Sequence, residues 1–480
     1  MIEMTLGEVA GIVDGRLRHA DPHTLVTGSV EFDSRAVTPG GLFLALLGER
    51  VDGHDYLATA LANGAVAGVV TREVDGPSIR VDDGFAALAA LAAAVIRRLP
   101  DTTVIGITGS SGKTSTKDLL AQVLAGHGAT IAPPGSFNNE LGHPYTVLRA
   151  TPDTRYLVLE TSARGIGHIR YLTEIAPPRI GVVLNVGSAH LGEFGSREAI
   201  AQAKGELVEA LPTDGVAILN RDDPLVAGMA SRTSARVITV GESAGADVRA
   251  EDVTQDDLGR ASFTLAGRGV RVAVALGLVG AHHVGNALAA AAVALECGMD
   301  LPDIAAALGA ATPTSRWRME VTERSDGVVV INDAYNANPE SMRAALKALA
   351  SVARSRRGGG GRSFAVLGEM AELGPDGPAE HDALGRLAVQ LDISRVVAVG
   401  EQARPIQHGA ALEGSWNGES SWVPDADAAI ALLRDELRRG DVVLVKASRA
   451  ASLERVALAI ADDTVSSPLN GPNSNGGGAA

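Results

Sequence analysis

The stretch TVIGITGSSGKTSTKDLL, residues 103–120, places a lysine and a hydroxyl at the end of a glycine turn. A β-branched run (Thr103, Val104, Ile105, Ile107) predicts a strand that stops at the turn, and a helix-compatible stretch begins at Lys113. Strand, glycine turn and helix start together bind an anion, because backbone N–H groups and the positive helix end converge on one point. Gly109, Ser110, Ser111, Gly112, Lys113, Thr114 and Ser115 are thus candidate nucleotide-binding residues. Lys113 would reach the β and γ phosphates of ATP, and the Thr114 hydroxyl would ligate Mg²⁺. The usual G-x-x-x-x-G-K-T spacing calls for glycine at 107, where this chain has isoleucine.

Other residues could complete such a site. Glu160 ends the apolar run of LVLETSARG, where a carboxylate would face the phosphate loop and share its Mg²⁺; the alternative is a helix-start carboxylate. His190 follows another apolar run in NVGSAHLGEFGS. Lys204, in AQAKGELVEAL, reads by itself as a surface lysine, although a neutral lysine can add CO₂ and become an anionic oxygen ligand. Asn286, after two histidines in GAHHVGNALAAAA, could read a base edge or cap a helix. Asp333 in VVINDAYNANPESM could hold a ribose hydroxyl, and Lys446, Ser448 and Arg449 in VLVKASR suit an anionic substrate. Of 42 basic residues only five are lysines, so Lys113, Lys204 and Lys446 stand where arginine was not used; Lys347, among helix formers, reads as a solvated charge.

The elements that must position these groups follow from the pattern. Apolar runs at 156–160, 180–186, 216–220 and 237–240 alternate with helical stretches, which predicts a parallel sheet with ligands at the carboxyl ends of its strands. Residues 247–275 alternate like an antiparallel insertion, and 285–296 reads as a buried alanine-rich helix. The expected class is α/β in three domains: a small α/β unit at 1–100, a central P-loop ATPase domain at 101–312, and a C-terminal Rossmann-like, doubly wound domain at 313–464. Residues 465–480, VSSPLNGPNSNGGGAA after Thr464, have no apolar periodicity and read as a disordered tail. RSRRGGGGR, 354–362, reads as a mobile loop.

A net charge of -15 argues against a nucleic-acid partner. The longest apolar run, 12 residues at 85–96, is too short to span a bilayer. A single cysteine, Cys297, and the absence of a signal-peptide pattern point to the cytoplasm.

TGSSGKT, FNNELGHP, the Glu160 run, NVGSAH, AKGE, NDAYNANPESM and VLVKASR occur in the order found in the Mur ligases, which the chain resembles from about residue 30 to 455. The resemblance implies ATP-driven amide formation, and YNANP favours joining D-alanyl-D-alanine to UDP-N-acetylmuramoyl-tripeptide over the earlier additions or folylpolyglutamate synthesis. A nucleotide switch without ligation would leave Lys204, His190 and the N-terminal segment unexplained. The resemblance makes Lys113 the phosphate lysine, puts Thr114 and Glu160 on one Mg²⁺, and gives His190 and a carbamylated Lys204 to a second. It makes Asn286, Arg318 and Asp333 nucleotide contacts. It offers Asp33, Ser34, Arg35, Asp52, His54, Asn138, Asn139, Asn336 and Asn338, with Lys446, Ser448 and Arg449, for the small-molecule substrates of a monomeric enzyme. Thr161-Ser162 replaces the usual Met-Gly after the glutamate, and Ala447 replaces a glycine in K-G-S-R.

Overall fold

The computed structural model describes residues 1–48, 51–187, 191–356, 360–414 and 419–462. His190, the 357–359 part of the glycine-rich loop and the 465–480 tail lie outside the described residues. The chain divides into two compact units. The first comprises Met1–Arg316 with Asn338–Ala344 and Glu372–Gly377; the second comprises Trp317–Ala337, Ala345–Ala371 and the chain from Pro378 onward.

The first unit holds two large sheets. In the smaller, five strands run in the order Arg16–Arg18, Ser78–Arg80, Ala65–Val70, Gly41–Leu44, Val30–Glu31, with only the first pair antiparallel. In the larger, Thr103–Thr108 lies between Ile180–Val183 and Tyr156–Glu160, parallel to both. Thr130–Ile131 extends this sheet beyond Tyr156–Glu160, while Val216–Asn220 and Arg236–Gly241 extend it beyond Ile180–Val183, all parallel. The chain therefore leaves Thr103–Thr108 on one side and returns on the other. Ligands of α/β sheets gather at the carboxyl edge of such a switch point, and the glycine loop after Thr108 emerges there.

Alternation in residues 247–275 becomes three strands, Val248–Gln255, Arg260–Gly267 and Val270–Val279, whose mutual pairings are antiparallel. The helix His283–Glu296 buries nearly all of Ala287–Leu295, and its small side chains let it pack closely beside the phosphate-loop helix Lys113–Ala125. Burial of each Leu or Ile in this core stabilises the unit by about 1.5–3 kcal/mol. Another apolar cluster joins Leu6, Val9, Leu42 and Leu88 to Val104, Val147, Leu157 and Leu172, so the N-terminal segment shares a core with the larger sheet.

The second unit contains a sheet in the order Glu320–Glu323, Val329–Asn332, Val442–Lys446, Ser363–Leu367, Arg395–Val399, Ser420–Val423, parallel except for the first pair. Val442–Lys446, last in sequence, inserts between the second and third strands. The doubly wound reading of this segment is thereby realised.

Two local expectations change. The apolar run at 180–186 is a strand only to Val183: Leu184 N–H still completes the pairing with Thr108 O, but the Leu184 carbonyl accepts from the Asn220 side-chain amide instead of a strand N–H. The helix containing Asn286 begins at His283, so Asn286 lies inside it and does not cap it.

Candidate active site

The strand Thr103–Thr108 ends where Gly109 begins the loop, and the helix starts at Lys113 after Gly112 at φ +81°. That left-handed conformation favours glycine, and a Cβ on Gly112 would come within 2.6 Å of Asn286 Oδ1. Asn286 Oδ1 also accepts from Thr116 Oγ1 at 3.2 Å, which ties the two packed helices together beneath the loop. Its cap alternative is thus replaced by a buried helix-to-helix bond.

Asn185, just past Val183, grips the loop with a two-bond ring. Ser111 N–H donates to its Oδ1 at 2.9 Å, and its Nδ2 donates to Ser111 O at 3.2 Å. Ser110 N–H donates to the Asn185 carbonyl at 3.1 Å, and Gly187 N–H donates to Ser110 Oγ at 2.9 Å. Asp223 Oδ2 accepts from Val186 N–H at 2.8 Å, fixing the segment that does the gripping. Lys113 Nζ donates to Gly109 O at 2.6 Å, which folds the ammonium over the loop.

On the other side, Glu160 ends its strand fully buried, one strand from the loop. Thr114 Oγ1 donates to Glu160 Oε2 at 3.3 Å and bonds Ser136 Oγ at 2.7 Å; Asn138 Nδ2 also donates to Glu160 Oε2, at 3.3 Å. Glu160 is therefore in the phosphate-loop cluster rather than at a helix start. The cluster is built of hydroxyl, carboxylate and amide groups, an oxygen-rich set of the kind Mg²⁺ takes. Among the described residues no three or more His, Cys, Asp or Glu form a metal-ligating group.

Lys204 lies in the helix Arg197–Glu209 and is only 5% exposed, which overturns its reading as a surface lysine. Burial pushes its amine well below the ordinary lysine range, and the nearby positive charge of Lys113 pushes the same way. Both effects favour the neutral amine. Lys347 is exposed, as a solvated charge should be.

Some positioning residues carried no local signal. Lys117 is buried and donates to Pro133 O at 2.8 Å, anchoring the segment that leads to Ser136 and Asn138. Buried His143 lies with Nδ1 3.3 Å from Glu160 O, and desolvation lowers its pKa to about 4, so the ring is neutral. Thr161 donates from N–H and Oγ1 to Ile107 O and accepts from Thr108 Oγ1 at 2.9 Å, so the substituted residue laces the two strand ends together.

The N-terminal candidates connect to this region through an aromatic cluster. Phe32 and Phe137 stand 5.1 Å and 5.6 Å from the Tyr145 ring, whose hydroxyl donates to Glu31 Oε2 at 2.7 Å. The Asp33–Arg35 turn and the Asn138–Asn139 loop are thereby brought together. Arg35 donates two side-chain bonds to Asp33, holding its carboxyl down at about 2, with both groups exposed. Ser34 is buried and its carbonyl accepts from Asn63 Nδ2. Buried His54 spends Nδ1 on Asp52 and Nε2 on Thr71 N–H. Exposed Asn139 accepts from Gly142 N–H through Oδ1.

Asn338 also belongs to the first unit. Its Nδ2 donates to Ser110 O at 3.3 Å and its Oδ1 accepts from Ser341 N–H at 2.9 Å, so both ends of an amide expected on the substrate side are engaged at the phosphate loop.

Within the second unit, Lys446 Nζ donates to Asp333 Oδ2 at 2.6 Å and to Asn336 O at 2.9 Å. Asp333 also accepts from Met319 N–H, and the Arg318 guanidinium lies 4.1 Å from the Tyr335 ring centre. Burial lowers the Lys446 pKa, opposed by the Asp333 charge. Ser448 Oγ accepts from Ala371 N–H at 2.8 Å, and Arg449 stacks on Trp317 at 4.4 Å while pairing with Glu454. A Cβ on Gly368 would lie 2.6 Å from that of Ala447, so the bare Gly368 backbone makes room for the alanine that replaces glycine.

Residues 107–294 match the Mur ligase middle domain, residues 317–449 match the glutamate ligase domain of Mur ligases, and residues 28–96 match the catalytic domain of the Mur ligase family. The UDP-N-acetylmuramoyl-tripeptide--D-alanyl-D-alanine ligase of Mycobacterium tuberculosis (strain ATCC 25618 / H37Rv) is 56% identical over 97% of this chain and 99% of its own. The enzyme of the same name from Escherichia coli (strain K12) is 36% identical over 96% of this chain and 99% of its own. Among solved structures, MurF from Acinetobacter baumannii superposes with a TM-score of 0.85 at 32% identity, covering 96% of this chain and 99% of its own. MurF ligase from Thermotoga maritima in complex with ADP gives 0.77 at 31% identity, covering 91% and 97%. With matches of this extent over both units, and with the loop motif set in a parallel sheet at its switch point, the chain belongs to the Mur ligase family.

Proposed function

We infer that this chain is an ATP-dependent ligase that joins D-alanyl-D-alanine to UDP-N-acetylmuramoyl-tripeptide, a step in building a peptidoglycan precursor. The observation that carries this is end-to-end identity of 56% to an enzyme so named. The built phosphate loop supports the ATP requirement, as does the ADP held by the Thermotoga maritima relative. The terminal carboxylate of the tripeptide attacks the γ-phosphorus, the P–O bond to ADP breaks, and an acyl phosphate forms. The amine of D-alanyl-D-alanine then attacks the acyl carbon and loses a proton as the C–O bond to phosphate breaks.

Lys113 and the first turn of its helix hold the charge of the transferring phosphoryl group; loss of one such donor costs on the order of 10²-fold in rate. Thr114 and Glu160 would hold Mg²⁺. Burial and the charge of Lys113 shift Lys204 toward the neutral amine, the form that takes up CO₂ as a carbamate, which with His190 would serve a second ion. When bound, Mg²⁺ supplies charge neutralisation at the phosphate oxygens. The Asp33–Arg35 turn and Asp52 are proposed for the UDP-sugar, with Asn138 and Asn139 toward the peptide. Cytoplasmic residence fits an ATP consumer whose single cysteine needs no oxidising compartment.

Phosphate release with ATP, UDP-N-acetylmuramoyl-tripeptide and a panel of amines tests the assignment. Release should require D-alanyl-D-alanine; equal stimulation by glutamate or by single amino acids would refute it.

A further inference from the structure

Ser110 and Ser111 form the outer arm of the phosphate loop, and all four of their backbone polar groups are engaged. Asn185 takes three of these: Ser110 N–H through its carbonyl, and Ser111 N–H and Ser111 O through its amide. The fourth, Ser110 O, accepts from Asn338 Nδ2 at 3.3 Å. A cradle attracts phosphate only while its carbonyl dipoles face away from the ligand, since one turned inward would repel the anion. Lys113 cannot serve this purpose for Ser110, because its ammonium bonds Gly109 O and is wanted by the phosphates.

Asn338 is itself held rigidly. It is 9% exposed; its Oδ1 accepts from Ser341 N–H at 2.9 Å, and its own N–H donates to Ser341 Oγ at 3.1 Å. This reciprocal cap starts the helix Pro339–Arg356 and decides which end of the amide faces the loop. The oxygen caps the helix, so the nitrogen points at Ser110.

We propose that Asn338 is a positioning residue for nucleotide binding, closing with Asn185 the hydrogen-bonded frame that keeps the phosphate loop open to an anion. This rests on the reading of that loop as the ATP site, and it assigns the last asparagine of YNANP to the nucleotide rather than to the dipeptide. Asn338→Asp keeps a capping oxygen and the shape but sets an acceptor against the Ser110 carbonyl. Asn338→Ser keeps a capping hydroxyl and removes the donor. Calorimetric titration with Mg-ADP should show binding weakened about 10-fold in Asn338→Asp and less in Asn338→Ser. Without nucleotide, the melting temperature of Asn338→Ser should stay near the parent's while that of Asn338→Asp, whose buried carboxylate faces a carbonyl, falls; in both, KM for D-alanyl-D-alanine should hold while KM for ATP rises. Unchanged ADP affinity, or a raised dipeptide KM with ADP binding intact, overturns the proposal. So does a nucleotide-free fall in melting temperature with both KM values rising together. If Asn338→Asp does not fold, Asn338→Ser carries the test. ADP titration needs no acceptor amine, so it stands even if the acceptor panel fails.

Discussion

Lys204 shows how much one side chain's meaning depends on its surroundings. In AQAKGELVEAL it has no mark that distinguishes it from a solvated lysine; in the fold it is buried and within the electrostatic reach of Lys113. Its pKa lies well below 10.5 when folded, so between the folded and unfolded values the unfolded chain binds the extra proton. Stability therefore falls as pH drops from 10.5 toward the folded value. In CO₂-depleted buffer, Lys204→Met should be more stable than the parent by about 1–3 kcal/mol near neutrality. The advantage should shrink at alkaline pH in urea titrations, and a gap independent of pH would mean that the amine is charged in the fold. Activity should move the other way. Lys204→Ala should lose on the order of 10²-fold or more in kcat and regain part of it with short-chain carboxylic acids, as expected if an anionic oxygen is what the residue supplies. Full activity in Lys204→Ala would remove it from the site.

Elements act here through their ends. The phosphate-loop helix begins at a left-handed glycine because Asn286, from the neighbouring helix, occupies the space a Cβ would need. Gly112→Ala combines a left-handed cost of about 1–2 kcal/mol with that overlap. It should weaken Mg-ADP binding by more than about 10-fold, measured by calorimetry, while Gly11→Ala, in the helix Leu6–Ile12 where a Cβ would meet nothing, should leave it unchanged. The Asp33–Arg35 turn and the Asn138–Asn139 loop depend in the same way on the short helix Gly142–Val147, which carries Tyr145. Tyr145→Phe keeps the ring contacts and loses the bond to Glu31. It should raise KM for the UDP-linked substrate about 3–10-fold with KM for ATP unchanged; equal KM values would show that the hydroxyl does not hold the turn.

Across the whole molecule, the loop, Asn185 and Asn338 all lie in the first compact unit although 228 residues separate Ser110 from Asn338. Saturation with ADP at about 100 times its Kd should therefore add about 2.7 kcal/mol to unfolding. Hydrogen exchange should slow at 108–116, 184–187 and 338–341 together, and protection limited to 108–116 would argue against a shared frame. What the sequence determined by itself was local or ordered along the chain: TGSSGKT as a glycine turn between strand and helix, the alternation that makes a parallel sheet, the alanine-rich helix, and the motif order that marks the family. These are legible because strand and helix periods and turn chemistry act over a few residues. The burial of Lys204, the move of Asn286 from cap to helix bridge, the early end of the strand at Val183 and the turning of Asn338 toward Ser110 were decided only by tertiary structure. Each depends on a partner far away in sequence, and the desolvation or hydrogen bond that fixes it exists only once packing has excluded water from both groups.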